Sequence, residues 1–576
     1  MYDITTGSWK LSELMSKLVA EKKTGQELQE HKHEDWNDNY ELYRNKVKTN
    51  RLTQRQAVNI PLMKETLKTL LSRIDDAPNV EWRELGGDEQ KELVYQEIWN
   101  QQFKDNNLEL VDILDKKNVL LYGFSTKKLN LAEQGVDVSV LDPYDTYFDP
   151  LMNPWDIESA RFIIHQNIFK SVREILADEK YSKEGKDLLK VWAESPQGIL
   201  QSSEAKKQWE EKMKRAEAMG IDHGEFALYA GGDMLVNLTE HFTKIWNSKE
   251  EEFERRVVVY ADDKIELYNE TLTDCLGVDF WPFVTWSEDP ESGDVYPDSV
   301  ADLVRTPNKI LNVWFSQLIE NRTLKNFQMH WFLPAKGYTP QTYTPGPGMM
   351  LPAPPGDDVN KVIKPVEISG LDDAFDSINI LTQIVERGTG ATAIEKGQGE
   401  EGTQTLGEVE VLVGKANERA TAMAKFYRNS WYELAWKWDK VMQANAPKFI
   451  ELFKRARSGK LYPKRVFSSD WVSETGYEPM VRSTSEQETE TTKSIQKFQF
   501  VLSQFPNNVA LRQIAQKREL EMLDLTPEEL RQVEESEKQA EQMQLLAQQP
   551  QQQVQPQQPS PEDLTPELSE LSQLMA

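Results

Sequence analysis

Apolar side chains recur at three- and four-residue steps in three segments of the second half of the chain. The first segment opens with Thr306 as a candidate N-cap and Pro307 at the first helical position, where its missing N–H is not needed. We expect this helix to end at about Lys325. Its predicted stripe, apolar with one cation near the C-terminal end, consists of Leu311, Trp314, Phe315, Leu318 and Arg322.

A second helix is predicted after Ser369 as N-cap, ending at Arg387 before Gly388. Its candidate buried face consists of Leu371, Phe375, Ile378, Thr382 and Val385. The segment from Asn326 to Pro365 separates the two helices. It carries β-like runs at Met329–Leu333 and Val359–Ile363 around a Pro/Gly-rich insert, Thr344–Gly356, whose composition excludes a helix.

A glycine-rich stretch, Gly388–Gly407, leads into the third helix. A structureless loop of this length is usually either disordered or functional. Thr405 and Glu408 have capping-box spacing, and apolar or small residues then recur as far as Met442. Such a helix would span roughly 55 Å. Its second half is expected to lie deep in a core through Trp431, Trp436 and Trp438.

The rest of the chain mixes helical and strand patterns, which predicts an α+β protein with its strands clustered away from the long helices. Helices are predicted at 11–48, 60–74, 88–115, 171–178, 183–194 and 203–218. Strands are predicted at 119–124, 127–131, 136–141, 240–246, 252–261 and 264–268. Beyond Thr484 the chain turns helical and polar, and from about Gln542 it becomes too Gln/Pro-rich to order itself alone.

Charge limits the classes of partner. Lys and Arg number 67 against 95 acidic residues, a net charge of −28, which argues against generic adhesion to nucleic acid or to an anionic membrane. One basic patch stands out, and it is either a solvated face or a contact for phosphate or a partner: Lys454, Arg455, Arg457, Lys460, Lys464 and Arg465. The single cysteine, Cys275, fits a reducing cytosol, and with neither a signal peptide nor an apolar run of membrane-spanning length we expect a soluble protein.

Enzyme signatures are weak. Gly397, Gly399 and Gly402 spell GxGxxG, but they follow a helix rather than a strand, and no phosphate-binding GxxxxGK[ST] motif occurs. His31, His33 and Glu34 would need an unwound helix to converge on a metal. We therefore expect no catalytic residue, no resident metal and no cofactor.

A cluster of three aspartates keeps one enzymatic alternative open. Asp142, Asp145 and Asp149 lie within eight residues and could hold Mg²⁺ or Ca²⁺ in a metal-dependent nucleic-acid enzyme. The Asp-Pro pairs in this segment are also common in ordinary turns, where the carboxylates would cap the backbone. A scaffold or adaptor protein without enzymatic activity is the other alternative.

The order of these elements resembles the portal proteins of tailed bacteriophages over roughly Trp36 to Met442. The resemblance is carried by Asn59-Ile-Pro-Leu-Met-Lys-Glu-Thr-Leu and by the strand run ending in Leu141-Asp-Pro-Tyr-Asp-Thr-Tyr-Phe-Asp-Pro. It is also carried by the succession of helix, Pro-rich insert, helix, Gly-rich loop and long helix.

The resemblance implies a ring-forming α+β subunit with an α/β wing, a two-helix stem, a small β-containing clip, a Gly-rich tunnel loop, a long spine helix and a helical crown. The corresponding divisions are wing 1–297, first stem helix 298–325, clip 326–368, second stem helix 369–387, tunnel loop 388–407, long wing helix with a following β/loop segment 405–483, crown 484–545 and flexible Gln/Pro-rich tail 546–576. Implied stem residues are Leu311, Trp314, Arg322, Lys325, Phe375 and Ile378; implied tunnel-loop residues are Arg387, Gly388, Gly390, Lys396, Gly397, Gly399 and Gly402.

The resemblance further implies a ring of about twelve copies at one capsid vertex of the virion, assembled in the host bacterial cytoplasm. Double-stranded DNA passes through such a ring without sequence specificity. Large terminase, then tail or adaptor proteins, and the major capsid and scaffold proteins are the implied partners, with no membrane involved. Twelve helices at roughly 9 Å spacing enclose a hole about 24 Å wide, which admits B-DNA.

Overall fold

The computed structural model describes residues 2–3, 8–9, 12–46, 58–72, 74, 79–132, 135–194, 235–248, 250–326, 330–332, 363–365, 367, 374–390, 406–455 and 461–482. All of them belong to a compact unit, Met1–Thr484. The predicted helix at 203–218, the Pro/Gly-rich insert, most of the tunnel loop and everything after residue 484 lie outside the described residues.

Helices make up much of this unit. In chain order they are α1 (Glu13–Glu30), α2 (His33–Tyr43), α3 (Leu62–Leu71), α4 (Glu89–Asp105), α5 (Leu108–Tyr122), α6 (Val172–Ala177), α7 (Lys183–Glu194), α8 (Leu272–Leu276), α9 (Val300–Asn326), α10 (Ala374–Thr389) and α11 (Leu406–Ala444). Helices α1, α4 and α6 are capped by the side-chain oxygens of Ser12, Asp88 and Ser171, residue types that are preferred at the N-cap position.

The strands form small antiparallel sheets. They are β1 (Tyr2–Asp3), β2 (Ser8–Trp9), β3 (Asn79–Glu84), β4 (Phe124–Ala132), β5 (Gly135–Val140), β6 (Thr146–Phe148), β7 (Phe162–Ser171), β8 (Leu235–Asn247), β9 (Glu252–Ala261), β10 (Ile265–Thr271), β11 (Phe283–Ser287), β12 (His330–Phe332), β13 (Ile363–Pro365), β14 (Phe449–Arg455), β15 (Leu461–Phe467) and β16 (Tyr477–Arg482). One sheet has the order β10-β9-β8-β7-β6 and another β11-β4-β5; the pairs β1-β2, β12-β13, β14-β15 and β16-β3 complete the set.

The C-terminal half of α11 lies at the centre of the core. Tyr427, Trp431, Leu434 and Trp438 are each at most 1% exposed. Around Trp438 gather aromatic rings from α4 and β3, and Tyr477 of β16 stacks on Tyr95 with ring centroids 3.9 Å apart. Offset and edge-on aromatic contacts of this kind stabilise a core beyond the area they bury.

Two buried ion pairs of α5 lie inside this core, one with β4 and one within the helix itself. The Lys127 ammonium of β4 lies 2.6 Å from Asp115, and both side chains are fully buried. Trp286 donates to the same carboxylate at 2.7 Å. One turn along the helix, Lys116 pairs with Asp112, which also accepts from the Tyr427 hydroxyl. Burial raises the pKa of Asp112, although Lys116 works in the opposite direction.

Several predicted elements have other bounds or surroundings in the structure. Helix α9 begins at Val300, so Thr306 is not its N-cap and Pro307 lies inside it; Ser299 and Asp302 make the capping-box hydrogen bonds instead. The strand predicted at 119–124 is wrong, because α5 runs to Tyr122 and β4 starts only at Phe124. The strands are not clustered away from the long helices either: α11 packs on β11 and β16.

Other predictions are confirmed within a few residues. Helix α7 and strand β9 have the predicted bounds, and the long helix predicted from Thr405 to Met442 is α11. The run predicted at 329–333 contains β12, which pairs with β13, with His330 opposite Pro365. Strand β13 shares only Ile363 with the run predicted at 359–363, and the other residues of that run lie outside the described ranges. Trp431 and Trp438 are buried as expected, whereas Trp436 is 37% exposed and packs against Phe280.

The Lys127–Asp115 pair gives a direct stability test. Replacing Asp115 with Ala leaves a buried ammonium without its counter-ion, so we expect the free energy of unfolding to fall by about 3–5 kcal/mol, measured by urea denaturation. The matched control is Asp187→Ala, which breaks an exposed pair with Lys190 and should cost less than about 1 kcal/mol. Equal losses of unfolding free energy in the two variants would show that the buried ion pair matters no more for stability than the exposed one.

Candidate functional site

The two predicted stem helices pack directly against each other in the structure, as α9 and α10. The N-terminal half of α9 is part of the main core, with Val300, Val304 and Leu311 buried. Its last residues, 324–326, are exposed. Ile378 and Val385 are the buried side chains of α10. The pair therefore has one end fixed in the core and its other end toward solvent.

A polar ladder fixes α9 against the chain segment that precedes α3. Asn308, Asn312 and Ser316 stand at four-residue steps on one face of α9, and all three are buried. Asn308 Oδ1 accepts from the Met63 N–H at 2.8 Å, and Asn312 Oδ1 accepts from the Ile60 N–H at 2.8 Å. Ser316 Oγ accepts from the Val58 N–H at 3.1 Å.

The ladder explains why polar residues lie inside at this place. Pro61 opens α3 and has no side chain that could cap it, so backbone N–H groups near the start of α3 need acceptors from elsewhere. The asparagines of α9 supply them, and Asn308 also donates to the Ile60 carbonyl at 3.2 Å. Polar residues repeating every fourth position on a buried helical face are the sequence signal that could have revealed this contact.

Charged side chains brace the outside of the same junction. Arg305 of α9 contacts Asp35 of α2 at 2.9 Å and Asp302 at 2.8 Å, and Lys309 pairs with Asp38. Lys32 lies 2.9 Å from Asp298, just before α9. Burial by itself lowers the pKa of Lys32, but the Asp298 hydrogen bond and nearby carboxylates outweigh it, so the pKa is raised.

The outer faces of the helix pair expose large apolar side chains. On α9 these are Leu303, Val313 and Leu324, at 60%, 38% and 38% exposure; on α10 they are Phe375, Ile380 and Ile384, at 60%, 58% and 54%. Single exposed apolar residues are ordinary, but six on two packed helices mark a surface that another molecule can cover.

The predicted stem residues separate into two environments. Leu311 and Ile378 are buried and Trp314 is partly buried against the core. Arg322, Lys325 and Phe375 are exposed. The sequence periodicity predicted that Phe375 lies on a buried face, but Phe375 is exposed in the single chain. The same periodicity did not identify Ile380 and Ile384 as exposed apolar residues.

Only the two ends of the predicted tunnel loop are described, and its last two residues, 406–407, already belong to α11. Helix α10 continues two residues past Arg387, so Gly388 is helical, and Gly390 takes the left-handed conformation at φ 75°. Its N–H bonds to the Glu386 carbonyl at 2.8 Å, which terminates the helix. Arg387 is exposed in the last turn. Lys396, Gly397, Gly399 and Gly402 lie outside the described residues.

The three candidate metal-binding aspartates have structural partners. Asp142 caps a 3-10 turn through the Tyr144 N–H, and Asp145 accepts from Asn167 at 2.6 Å. Asp149 takes a fork of two hydrogen bonds from the Arg161 guanidinium, at 2.6 and 2.7 Å. Burial would raise the pKa of Asp149, but the Arg161 contacts lower it overall. His33 bonds to Gln29, and within the described ranges no cluster of potential metal ligands occurs.

The ladder gives a test of how firmly α9 is held. Asn312→Ala removes the acceptor of the Ile60 N–H, so we expect a loss of about 1–3 kcal/mol in the free energy of unfolding, measured by urea denaturation. Gln317→Ala, at an exposed position of the same helix, is the control and should stay within about 0.5 kcal/mol of the parent. A small loss shared by both variants would contradict a specific role for the ladder.

Comparison with known proteins assigns a family to this arrangement. No helix among the described residues is both long and apolar enough to cross a membrane. No curated protein matches the chain. The family model of the phage SU10 portal protein matches residues 19–456, about three quarters of the chain, from α1 to the hairpin β14–β15. This confirms the family predicted from the order of the elements: the chain belongs to the phage SU10 portal protein family.

Proposed function

We propose that this chain forms a ring of about twelve copies at one vertex of a phage capsid. The ring serves as the channel through which double-stranded DNA is packaged and later ejected. It docks the large terminase during packaging and tail or adaptor proteins afterwards, and it contacts the major capsid and scaffold proteins. In this role the chain is a structural component of the virion, assembled in the bacterial cytoplasm, and it catalyses no reaction.

The observation that carries the proposal is the family match over residues 19–456, taken with the helix pair inside it. Helices α9 and α10 are held in the core at one end and expose six large apolar side chains on their outer faces. A second copy packed against each face would remove these side chains from water, at about 25 cal/mol per Å² of apolar surface. A ring supplies such a neighbour on both sides of every subunit.

The domain divisions follow from this proposal. Residues 1–297 form the wing, 298–325 and 369–387 the stem, and 326–368 the clip that meets terminase and adaptors. Residues 388–407 are the tunnel loop and 405–483 the long wing helix with its following β segment. We assign residues 484–545 to the crown and 546–576 to the tail.

Electrostatics fit a conduit for DNA. A net charge of −28 per copy makes the ring strongly acidic, and phosphate contacts, which create salt-dependent affinity, are correspondingly few. In the proposed ring, we assign transient phosphate contacts to Arg387, which is exposed at the end of α10, and to Lys396 of the tunnel loop. We assign to the loop glycines the role of letting the backbone shift as DNA passes.

Ring formation is tested by electron microscopy of the purified protein together with its mass in solution. We expect rings of about twelve subunits, with a hole wide enough for duplex DNA. The same sample should not cleave DNA when Mg²⁺ is added. A chain that stays a monomer or dimer at assembly-permissive salt, or that cuts DNA with a metal, would overturn the proposal in favour of an adaptor or a nuclease.

The tunnel loop is tested by replacing residues 388–402 with a Gly/Ser linker of equal length. We expect rings to form as before, because the stem and the core are unchanged, while DNA packaged per particle falls in a packaging assay. As a control, a Gly/Ser replacement of the exposed turn residues 291–293 in the wing should leave the DNA packaged per particle unchanged. Loss of the ring itself in the 388–402 variant would contradict the assignment of the loop.

A further inference from the structure

One hairpin of the five-stranded sheet ends in an exposed aromatic pair with acidic residues. Trp246 of β8 lies directly opposite Phe253 of β9, with ring centroids 5.0 Å apart. They are 50% and 65% exposed. Glu250, Glu251 and Glu252 in the adjoining turn are exposed as well. We call residues 246–254 the acidic hairpin.

A second hairpin, formed by β14 and β15, has one face in the core and one in solvent. Ile450, Leu452 and Val466 are buried. On the opposite face Phe449 pairs with Phe467, and Phe453 lies across from Pro463. The three phenylalanines are 37%, 55% and 60% exposed, in the order Phe449, Phe467 and Phe453. We call residues 448–467 the basic hairpin.

The basic hairpin contains the patch of Lys and Arg found in the sequence. Lys448, Lys464 and Arg465 are exposed, and the side chains of the other four basic residues lie outside the described part of the chain. Arg465 pairs with Glu451 at 3.0 Å and stands over the Phe449 ring at 4.9 Å, so the outer face carries apolar rings and a guanidinium whose charge one carboxylate offsets.

The basic hairpin is fixed firmly to α4. The Gln101 side chain makes two hydrogen bonds to the backbone of β14. Its Nε2 donates to the Glu451 carbonyl at 2.9 Å, and its Oε1 accepts from the Phe453 N–H at 2.8 Å. A rigid surface loses little conformational entropy when a partner binds it.

The two hairpins lie on opposite sides of α11. On one side, Lys437 contacts Glu158 and the carbonyls of Trp281 and Phe283. The acidic hairpin adjoins this side, because Arg255 of β9 contacts Glu158 at 3.2 Å. Two residues further along α11, and thus about 200° around its axis, Asp439 accepts from Tyr95 of α4, the helix that holds the basic hairpin.

We propose that the acidic hairpin of one copy packs against the basic hairpin of the next copy around the ring. The proposal rests on the proposed ring and names the contact that closes it outside the stem. A ring needs two different, complementary surfaces on each subunit, and we assign that role to the two hairpins on opposite sides of α11. Aromatic side chains provide apolar area at the contact, while the opposite charges fix which surfaces meet.

Charge reversal tests the pairing. Glu250→Lys with Glu252→Lys changes the net charge of the acidic hairpin from −3 to +1. Replacing Lys448, Lys454, Lys464 and Arg465 by Glu changes that of the basic hairpin from +6 to −2. Either variant places like charges at every contact, and we expect the ring fraction at low salt to fall about tenfold in each. Combining all six substitutions in one chain restores opposite charges at each contact, and the rings should return. Rings seen by electron microscopy and mass in solution are the readout, and thermal unfolding checks that each variant folds.

Cross-linking tests the same contact by proximity. In a Cys275→Ser background, Phe253→Cys combined with Phe453→Cys should give a ladder of covalent multimers on oxidation, whereas either cysteine alone should give dimers at most. If the parent chain forms rings, but the cysteine variant does not cross-link and the charge-reversal variants still form rings, this contact is overturned and the proposed ring stands. A parent chain that forms no ring would overturn the proposed function, and this contact with it.

Discussion

The position of the long helix depends on one buried ammonium group. Lys437 is 2% exposed, yet its Nζ reaches the carboxylates of Glu158 and Glu433 and the carbonyls of Trp281 and Phe283, all within 3.1 Å. A buried charge is tolerated only where such partners surround it. Apolar packing alone would let α11 rotate by small steps, but this set of acceptors allows one rotation. The sheets on one side and α4 on the other are therefore held at fixed positions.

The helix pair is fixed by the same kind of contact. Leu311 and Val304 fill space in the core, but similar side chains one turn away could replace them. The hydrogen bonds of Asn308 and Asn312 to the N–H groups of Met63 and Ile60 have no such substitutes. Buried polar partners thus determine the register of α9, while apolar burial supplies most of the stability.

Periodicity predicted the elements whose faces meet a core within the subunit, such as α7, β9 and the second half of α11. It failed where two helix-start signals lie close together in the sequence. Pro307 is typical of a helix start, but the Ser299–Asp302 capping box lies upstream, and α9 begins there. The pairing of β3 with β16 could not be predicted, since it joins segments almost 400 residues apart. Nor can periodicity separate a buried apolar face from an exposed one, as Phe375 and Trp436 show. The order of helix, insert, helix and long helix was sufficient to recognise the family. The contacts of the polar ladder and of the two hairpins could be identified only from the three-dimensional structure.

The pairing of β3 with β16 also bears on when this protein can fold. Tyr95 and Trp82 meet Tyr477 and Pro479 only after residues 477–482 have left the ribosome. Until then Tyr95 lacks the stacked ring of Tyr477, although α9 and α10 have already been synthesised. Contacts so distant in sequence close slowly. The chain therefore reaches its final fold late in its own synthesis, when nearly the whole described unit exists.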